Sequence, residues 1–151
     1  MGVLTTAYSI PPEVMRKIQS YKKHLEKIFN AEADWRFENY GFDKSWEEKI
    51  RIIGKCYPRT RNRLNHQKCW VYPDYDVWIV KPKEVKFVAN DLAKTTLESL
   101  KKWALKGGVR DYWGEMIPEE LYDYYIGDIE QFKKFLQKAA DDGNYLIFAT
   151  G

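Results

Sequence analysis

The segment "YLIFATG", residues 145–151, decides the fold because it is continuously apolar from Tyr145 to Ala149. A run of this kind is typical of a β-strand that is buried on both faces of a sheet. A second strand-forming run, "VLTTAY" at residues 3–8, lies near the opposite end of the chain. We therefore predict a small mixed sheet that includes both terminal strands, in an order that the pattern does not specify.

Helical periodicity dominates much of the chain between these two strands. Apolar residues recur at steps of three and four over residues 14–29, and Pro82 opens the longest predicted helix, which ends at Gly107-Gly108. A further helix starts at Pro118 and bends near Gly127. The prediction is an α+β fold in which about four to five helices pack with the sheet.

Two shorter patterns lie between the first helix and the longest one. Asp43 or Ser45 is a candidate N-cap for a helix that starts at Trp46 and ends at Gly54. Downstream, "CWVYPDYDVWIV" at residues 69–80 contains two strand-forming runs separated by Pro and Asp. This pattern predicts a β-hairpin or two successive strands.

Composition limits the class of protein. The 151 residues are 44% hydrophobic and 16% aromatic, unlike an intrinsically disordered chain. The chain contains 25 Lys and Arg residues and 22 Asp and Glu residues, and the resulting net charge of +3 gives little global attraction to nucleic acid. The length predicts one domain, residues 1–151.

The cysteine count and the apolar runs predict a cytoplasmic protein. Two cysteines, Cys56 and Cys69, are too few for the disulfide framework of a small secreted domain. The opening "MGVLTTAYSI" lacks the basic and apolar regions of a signal peptide. No segment approaches the roughly 20 apolar residues of a membrane-spanning helix, so we expect no membrane partner.

Four segments together resemble the YfbM-like proteins, a bacterial family of unknown function. The start "MG" with "PPEV" is similar to the opening of that family, and Asp43, Lys44, Trp46 and Gly54 match its most distinctive segment. Residues 77–92 and 131–151 resemble its strand-to-helix junction and its last helix and strand. The resemblance implies a single α+β domain in the cytoplasm of a bacterium, and it implies no activity.

The stretch "KCYPRTRNRLNHQKCW", residues 55–70, is basic and contains no acid. Alternating arginines would share one face of a strand, whereas the Pro and Asn residues favour a surface loop. Neighbouring aromatic residues make nucleic-acid binding an alternative function. The candidate basic surface comprises Lys55, Arg59, Arg61, Arg63 and Lys68.

Motifs for metal binding and catalysis are weak. Cys56, His66 and Cys69 are three ligand types within one stretch, but a structural zinc site needs four ligands, so we predict no metal and no cofactor. No nucleophile or phosphate-binding motif occurs. A hydrolase that uses paired carboxylates, such as Asp43 and Asp111, stays open as an alternative.

A binding or protein-interaction domain is the preferred function. Trp46 is either an anchor in the core or a partly exposed residue at the mouth of a pocket. The segment "RDYW" at residues 110–113 is a second candidate for the wall of such a pocket, because Tyr, Trp and Arg are enriched in binding hot spots. We expect a protein partner or a small ligand. The candidate pocket residues are Asp43, Lys44, Trp46, Arg110, Asp111, Tyr112 and Trp113.

Overall fold

One five-stranded sheet organises the structure, a computed structural model that describes residues 4–20, 37–42, 45–65, 69–72, 75–127 and 129–151. The strands are β1 (Thr5–Ile10), β2 (Asn39–Gly41), β3 (Cys69–Tyr72), β4 (Tyr75–Val80) and β5 (Tyr145–Thr150). Their spatial order is β2-β1-β5-β4-β3. The α+β class and the sharing of one sheet by the two terminal strands are confirmed.

The strand β5 lies at the centre of the sheet and pairs with β1 and β4. All four pairings among the described strands are antiparallel, so the expectation of a mixed sheet is wrong in strand direction. Leu146 and Phe148 pack into the main core, whereas Ile147 and Ala149 pack into a second core on the opposite face. The apolar run therefore forms a strand buried on both faces, as its pattern predicts.

Helices cover both faces of the sheet. The helix α1 (Pro12–Ser20) places Met15 in the second core. The helices that pack around the main core are α2 (Trp46–Cys56), α3 (Pro58–Leu64), α4 (Pro82–Ala93), α5 (Leu97–Leu105), α6 (Tyr122–Ile126) and α7 (Ile129–Asp141). A 3₁₀ turn, Glu119–Leu121, precedes α6. Among the described ranges, no helix is long and apolar enough to span a membrane.

The segment predicted to be the longest helix forms two helices, α4 and α5, because the chain turns at residues 94–96. Thr96 caps α5: its hydroxyl accepts a hydrogen bond from Ser99 N at 3.1 Å, and Ser99 Oγ accepts one from Thr96 N at 3.2 Å. Thr95 is buried and donates to the hydroxyl of Tyr57. These side chains satisfy backbone groups at a helix start, which favours an interruption over a continuous helix.

Residues 58–64 of the basic stretch form the helix α3, so neither the surface loop nor the strand considered for this stretch is correct. Thr60 and Leu64 are fully buried, and the indole of Trp78 on β4 donates to Leu64 O at 2.9 Å. The preceding helix α2 continues past Gly54, which we expected to end it. A Cβ atom at Gly54 would lie 2.3 Å from Arg61 Cδ, so glycine permits the close approach of α2 and α3.

Trp46 is a core residue with 6% of its surface exposed. Its ring lies 4.5 Å from Phe42, 5.1 Å from Phe148 and 6.2 Å from Trp78, measured between centroids. Tilted and edge-on contacts at these distances add to the free energy of burial. The N-terminus of α2, the central strand β5 and its neighbour β4 therefore meet at one aromatic cluster.

Candidate functional site

Residues 109–117 form a short hairpin, which we call the aromatic hairpin. Arg110 and Met116 pair in an antiparallel bridge, and Ile117 N donates to Val109 O at 2.9 Å. At the tip, Gly114 has a φ of 85°, a conformation that side-chain-bearing residues rarely adopt. The glycine lets the chain reverse within a few residues.

Asp111 holds the tip of the aromatic hairpin in one conformation. Its Oδ1 accepts hydrogen bonds from Trp113 N at 2.8 Å and from Glu115 N at 2.9 Å. Arg110 Nη1 donates to Gly114 O at 2.8 Å across the same turn. A carboxylate that accepts two backbone amides is a local structural element, which gives Asp111 a role in shaping the loop.

Two contacts join the aromatic hairpin to the body of the protein. Val109 N donates to the hydroxyl of Tyr122 at 2.9 Å, and Tyr122 is only 1% exposed. Arg51 of α2 donates through Nη1 to Asp111 O at 3.2 Å. The base and the tip of the hairpin are thus both fixed, and its side chains project from a rigid support.

The aromatic side chains of the hairpin face solvent. Tyr112 is 63% exposed and Trp113 is 81% exposed, with their rings in an edge-to-face contact at 5.2 Å. With a total surface of ~150–250 Å² per aromatic side chain, the two rings leave roughly 300 Å² in water. Patches of this size on a monomer are often functional.

The segment that follows the aromatic hairpin is acidic. Glu119 and Glu120 begin the 3₁₀ turn, and both are exposed, as is Glu115 in the hairpin itself. None of the three carboxylates has an ion-pair partner in the described part of the chain. The 3₁₀ turn starts three residues after Met116, so its first Cα lies within about 11 Å of the hairpin strand.

A small internal cavity is the alternative site. Its volume is about 10 Å³, far below the ~300–1,000 Å³ of typical ligand pockets. Lys49 is the one lining residue that carries a formal charge, and its Nζ lies 5.9 Å from the centre of the Phe42 ring. The lining residues are Tyr40, Phe42, Lys49, Ile53, Tyr125, Ile126, Ile129 and Phe132.

Tyr125 connects this cavity with the aromatic hairpin electrostatically. Burial raises the pKa of its hydroxyl above the ordinary value, and the carboxylates of Glu48 and Asp111 raise it further. The neutral phenol is therefore favoured, and nothing in this arrangement activates it as a base. The cavity is better explained as a packing gap beside the buried side chain of Lys49 than as a reaction centre.

The structure does not bring the predicted pocket residues together around this cavity. Asp43 and Lys44 lie outside the described residues, and Trp46 lies in the core. Arg110, Asp111, Tyr112 and Trp113 belong to the aromatic hairpin, and none of them lines the cavity. Sequence reasoning missed Met116, Leu121 and Tyr124, which are also substantially exposed. Leu121 and Tyr124 lie three residues apart in a predicted helix, a spacing that is typical of a buried helix face.

The predicted basic surface is dispersed by the helix α3. Successive helix residues turn by about 100°, so Arg61 lies on the side of α3 opposite Arg59 and Arg63, and the three arginines do not share one face. Arg63 Nε lies 2.5 Å from Glu84 Oε2, and its guanidinium lies 3.5 Å from the centre of the Phe87 ring. Arg61 packs against Gly54, Lys55 and Arg59 are exposed, and Lys68 lies outside the described residues.

Metal-binding groups are not clustered where the structure is described: there is no group of three or more His, Cys, Asp or Glu side chains that could hold an ion. Cys56 Sγ is 3.7 Å from Leu100 O, a weak donor contact. His66 lies outside the described residues. The carboxylate pair of the hydrolase hypothesis is untested, since Asp43 also lies outside them.

This arrangement defines an α+β domain with a five-stranded antiparallel sheet and a projecting aromatic hairpin. Among solved structures, the crystal structure of YfbM from Escherichia coli, a protein of unknown function, has the same fold, with a TM-score of 0.67. The alignment covers 98% of this chain and 99% of that chain at 12% sequence identity. The resemblance to YfbM-like proteins is thereby confirmed for the fold, and it carries no activity.

Comparisons based on sequence add nothing to this likeness. No protein-family model matches the chain, and no curated protein matches it. The function has to be argued from the site of this chain, since one fold supports many functions.

Proposed function

We propose that this protein is a non-enzymatic protein-interaction domain that binds its partner through the aromatic hairpin. The observation that carries the proposal is the 81% exposure of Trp113 on a loop whose backbone is fixed by Asp111. Trp and Tyr are the residues most enriched in binding hot spots. A fixed loop also loses little conformational entropy when it binds.

Folding does not account for the position of Trp113. Its indole contacts Tyr112, which is itself exposed, and the hairpin is held by polar bonds from Asp111, Arg110 and Tyr122. Trp113→Ala is therefore expected to change the free energy of unfolding by less than about 0.5 kcal/mol. A near-neutral effect on stability combined with loss of binding would separate the functional role from a structural one.

The experiment is site-specific photo-crosslinking in the cells that make the protein. A benzoylphenylalanine residue in place of Tyr112 should give a discrete cross-linked product, and Trp113→Ala in the same chain should remove that product. The same photoreactive residue in place of Leu4, which is 52% exposed near the end of the sheet, is the matched control. An equal yield from the two positions would refute the proposal.

A small-ligand function is less well supported by the geometry, because the internal cavity is small and mostly apolar. Nucleic-acid binding stays a prediction, and the engagement of Arg63 with Glu84 and Phe87 reduces the charge available to a phosphate backbone. The interaction surface is favoured over both.

A further inference from the structure

The aromatic hairpin and the 3₁₀ turn after it carry a charge opposite to that of the whole chain. Residues 109–127 contain five acidic residues and one basic residue, a net charge of −4 in a chain whose total is +3. Two of these acids are engaged: Asp111 caps backbone amides, and Asp123 pairs with Lys101 at 3.0 Å. Glu115, Glu119 and Glu120 have no ion-pair partner among the described residues.

From this juxtaposition we infer that the surface binds a basic amphipathic segment of a protein partner, in which Lys or Arg alternates with apolar residues. The inference rests on the proposed function and specifies the class of partner. Cationic side chains are attracted both by the three free carboxylates and by the faces of Trp113 and Tyr112, because aromatic faces carry negative charge density. The apolar residues of the segment would cover the remaining ring surface.

The size of the surface requires both kinds of contact. Roughly 300 Å² of aromatic surface is well below the ~800 Å² that each partner buries in a standard interface. The neighbouring carboxylates and the exposed side chains of Met116, Leu121 and Tyr124 supply additional surface within the same segment of chain. A ligand that used only the rings would leave three carboxylates without a counter-charge beside the interface.

The sign of the charge also selects against other macromolecules. A nucleic acid or an anionic lipid surface would meet Glu115, Glu119 and Glu120 with like charge. An acidic peptide would be repelled in the same way. The acidic peptide and the anionic lipid surface therefore serve as negative predictions in the test.

The test uses fluorescence anisotropy with three labelled synthetic peptides and the intact protein. The first peptide contains Arg, Leu and Gly, the second replaces Arg by Glu, and the third replaces Leu by Ser. We expect the first to bind most tightly and to weaken between about 0.01 M and about 1 M salt, where the Debye length falls from ~30 Å to ~3 Å. Anionic phospholipid vesicles form a fourth arm and should not bind.

Two variants locate the binding on the proposed surface. The triple change of Glu115, Glu119 and Glu120 to Gln should weaken binding of the first peptide by about tenfold, and Trp113→Ala by about tenfold or more. The matched controls change the same net charge at exposed acids elsewhere (Glu13→Gln, Glu98→Gln and Asp142→Asn together) and remove an exposed Trp on α5 (Trp103→Ala). Both controls should bind within about twofold of the unmodified protein.

The outcomes distinguish the partner class from the proposed function. If the acidic peptide binds as well as the first peptide, and Trp113→Ala abolishes that binding, the inference is overturned while the proposed function stands. If the vesicles bind as well as the first peptide, the inference is also overturned. If the basic peptide binds equally to the triple variant and to the control variants, the inference is also overturned. If no peptide binds and position 112 gives no specific cross-link, both fail.

Discussion

Replacing Tyr122 by Phe should loosen the aromatic hairpin without unfolding the domain. The Tyr122 hydroxyl accepts a hydrogen bond from Val109 N at 2.9 Å, and the two residues are 1% and 6% exposed. The change removes one oxygen and keeps the ring in place. The amide of Val109, which water reaches poorly, then has no hydrogen-bond acceptor.

The expected loss of stability follows from that unsatisfied amide. A buried donor that loses its partner costs ~1–3 kcal/mol, which is more than the net value of an ordinary hydrogen bond. Because the phenyl ring still fills the site, only a small cavity term is added. We expect Tyr122→Phe to lower the free energy of unfolding by about 2 kcal/mol.

Urea denaturation followed by circular dichroism measures this loss as a shift in midpoint at constant slope. Hydrogen exchange at the Val109 amide should accelerate in parallel, since opening of the hairpin base becomes easier. The matched control is Tyr124→Phe, because Tyr124 is 65% exposed. A shift for Tyr122→Phe no larger than that for Tyr124→Phe would refute the anchoring role.

Four further changes test the structure. Trp46→Ala should lower the free energy of unfolding by ~3–5 kcal/mol, measured by chemical denaturation, and a near-neutral effect would contradict its burial among aromatic rings. Asp111→Ala should cost ~1 kcal/mol in the same measurement, whereas Asp111→Asn keeps the acceptor oxygen and should cost less. Gly54→Ala should lower the free energy of unfolding because the added methyl group contacts Arg61, and it should lower it less in an Arg61→Ala background. Equal losses of stability in the two backgrounds would exclude that contact. Burial raises the pKa of the Cys56 thiol above its ordinary 9.0, an effect that the charge of Lys55 opposes. The folded state therefore holds this proton more tightly, and the stability present below pH 9.0 should fall as the pH rises through the folded-state pKa. Cys56→Ser should reduce that fall, measured as the denaturation midpoint between about pH 8 and pH 11; an unchanged fall would contradict the shift.

The parts of the fold that the sequence predicts are those with strong periodicity. The apolar run of β5 and the stripe of α7 each bury a continuous face, so pattern and structure agree. The hairpin of β3 and β4 is confirmed, with Tyr72 opposite Tyr75. The strand β2 was not predicted, because it is only three residues long and its residues are half-buried or exposed.

The errors arise where tertiary contacts override local pattern. Arg59, Arg61 and Arg63 alternate like a strand, yet the segment is helical because Leu64 and Thr60 dock on the core. The break before α5 depends on a capping box between Thr96 and Ser99, which the apolar stripe conceals. Strand direction depends on pairings between distant segments, and a single sequence contains little information about them.

The candidate site was only partly predictable for a related reason. The composition of "RDYW" indicated a binding loop, but its rigidity depends on Tyr122 and Arg51, which are remote in sequence from its tip. The acids at Glu119 and Glu120 resemble an ordinary helix start, where carboxylates favour the positive end of the dipole. Only the three-dimensional structure shows that they follow directly on an exposed aromatic loop.

The likeness to YfbM narrows the search for function to surfaces that the fold does not require. At 12% identity two chains can share a core while their exposed side chains differ widely. An exposed Trp113 adds nothing to the core and adds apolar surface that favours aggregation, so its presence at this position needs a reason other than folding. In the proposed interaction, the acids around it would repel a second acidic face and attract a cationic partner. Exposed aromatic rings, a fixed backbone and unpaired carboxylates within one short segment are together better explained by recognition than by stability.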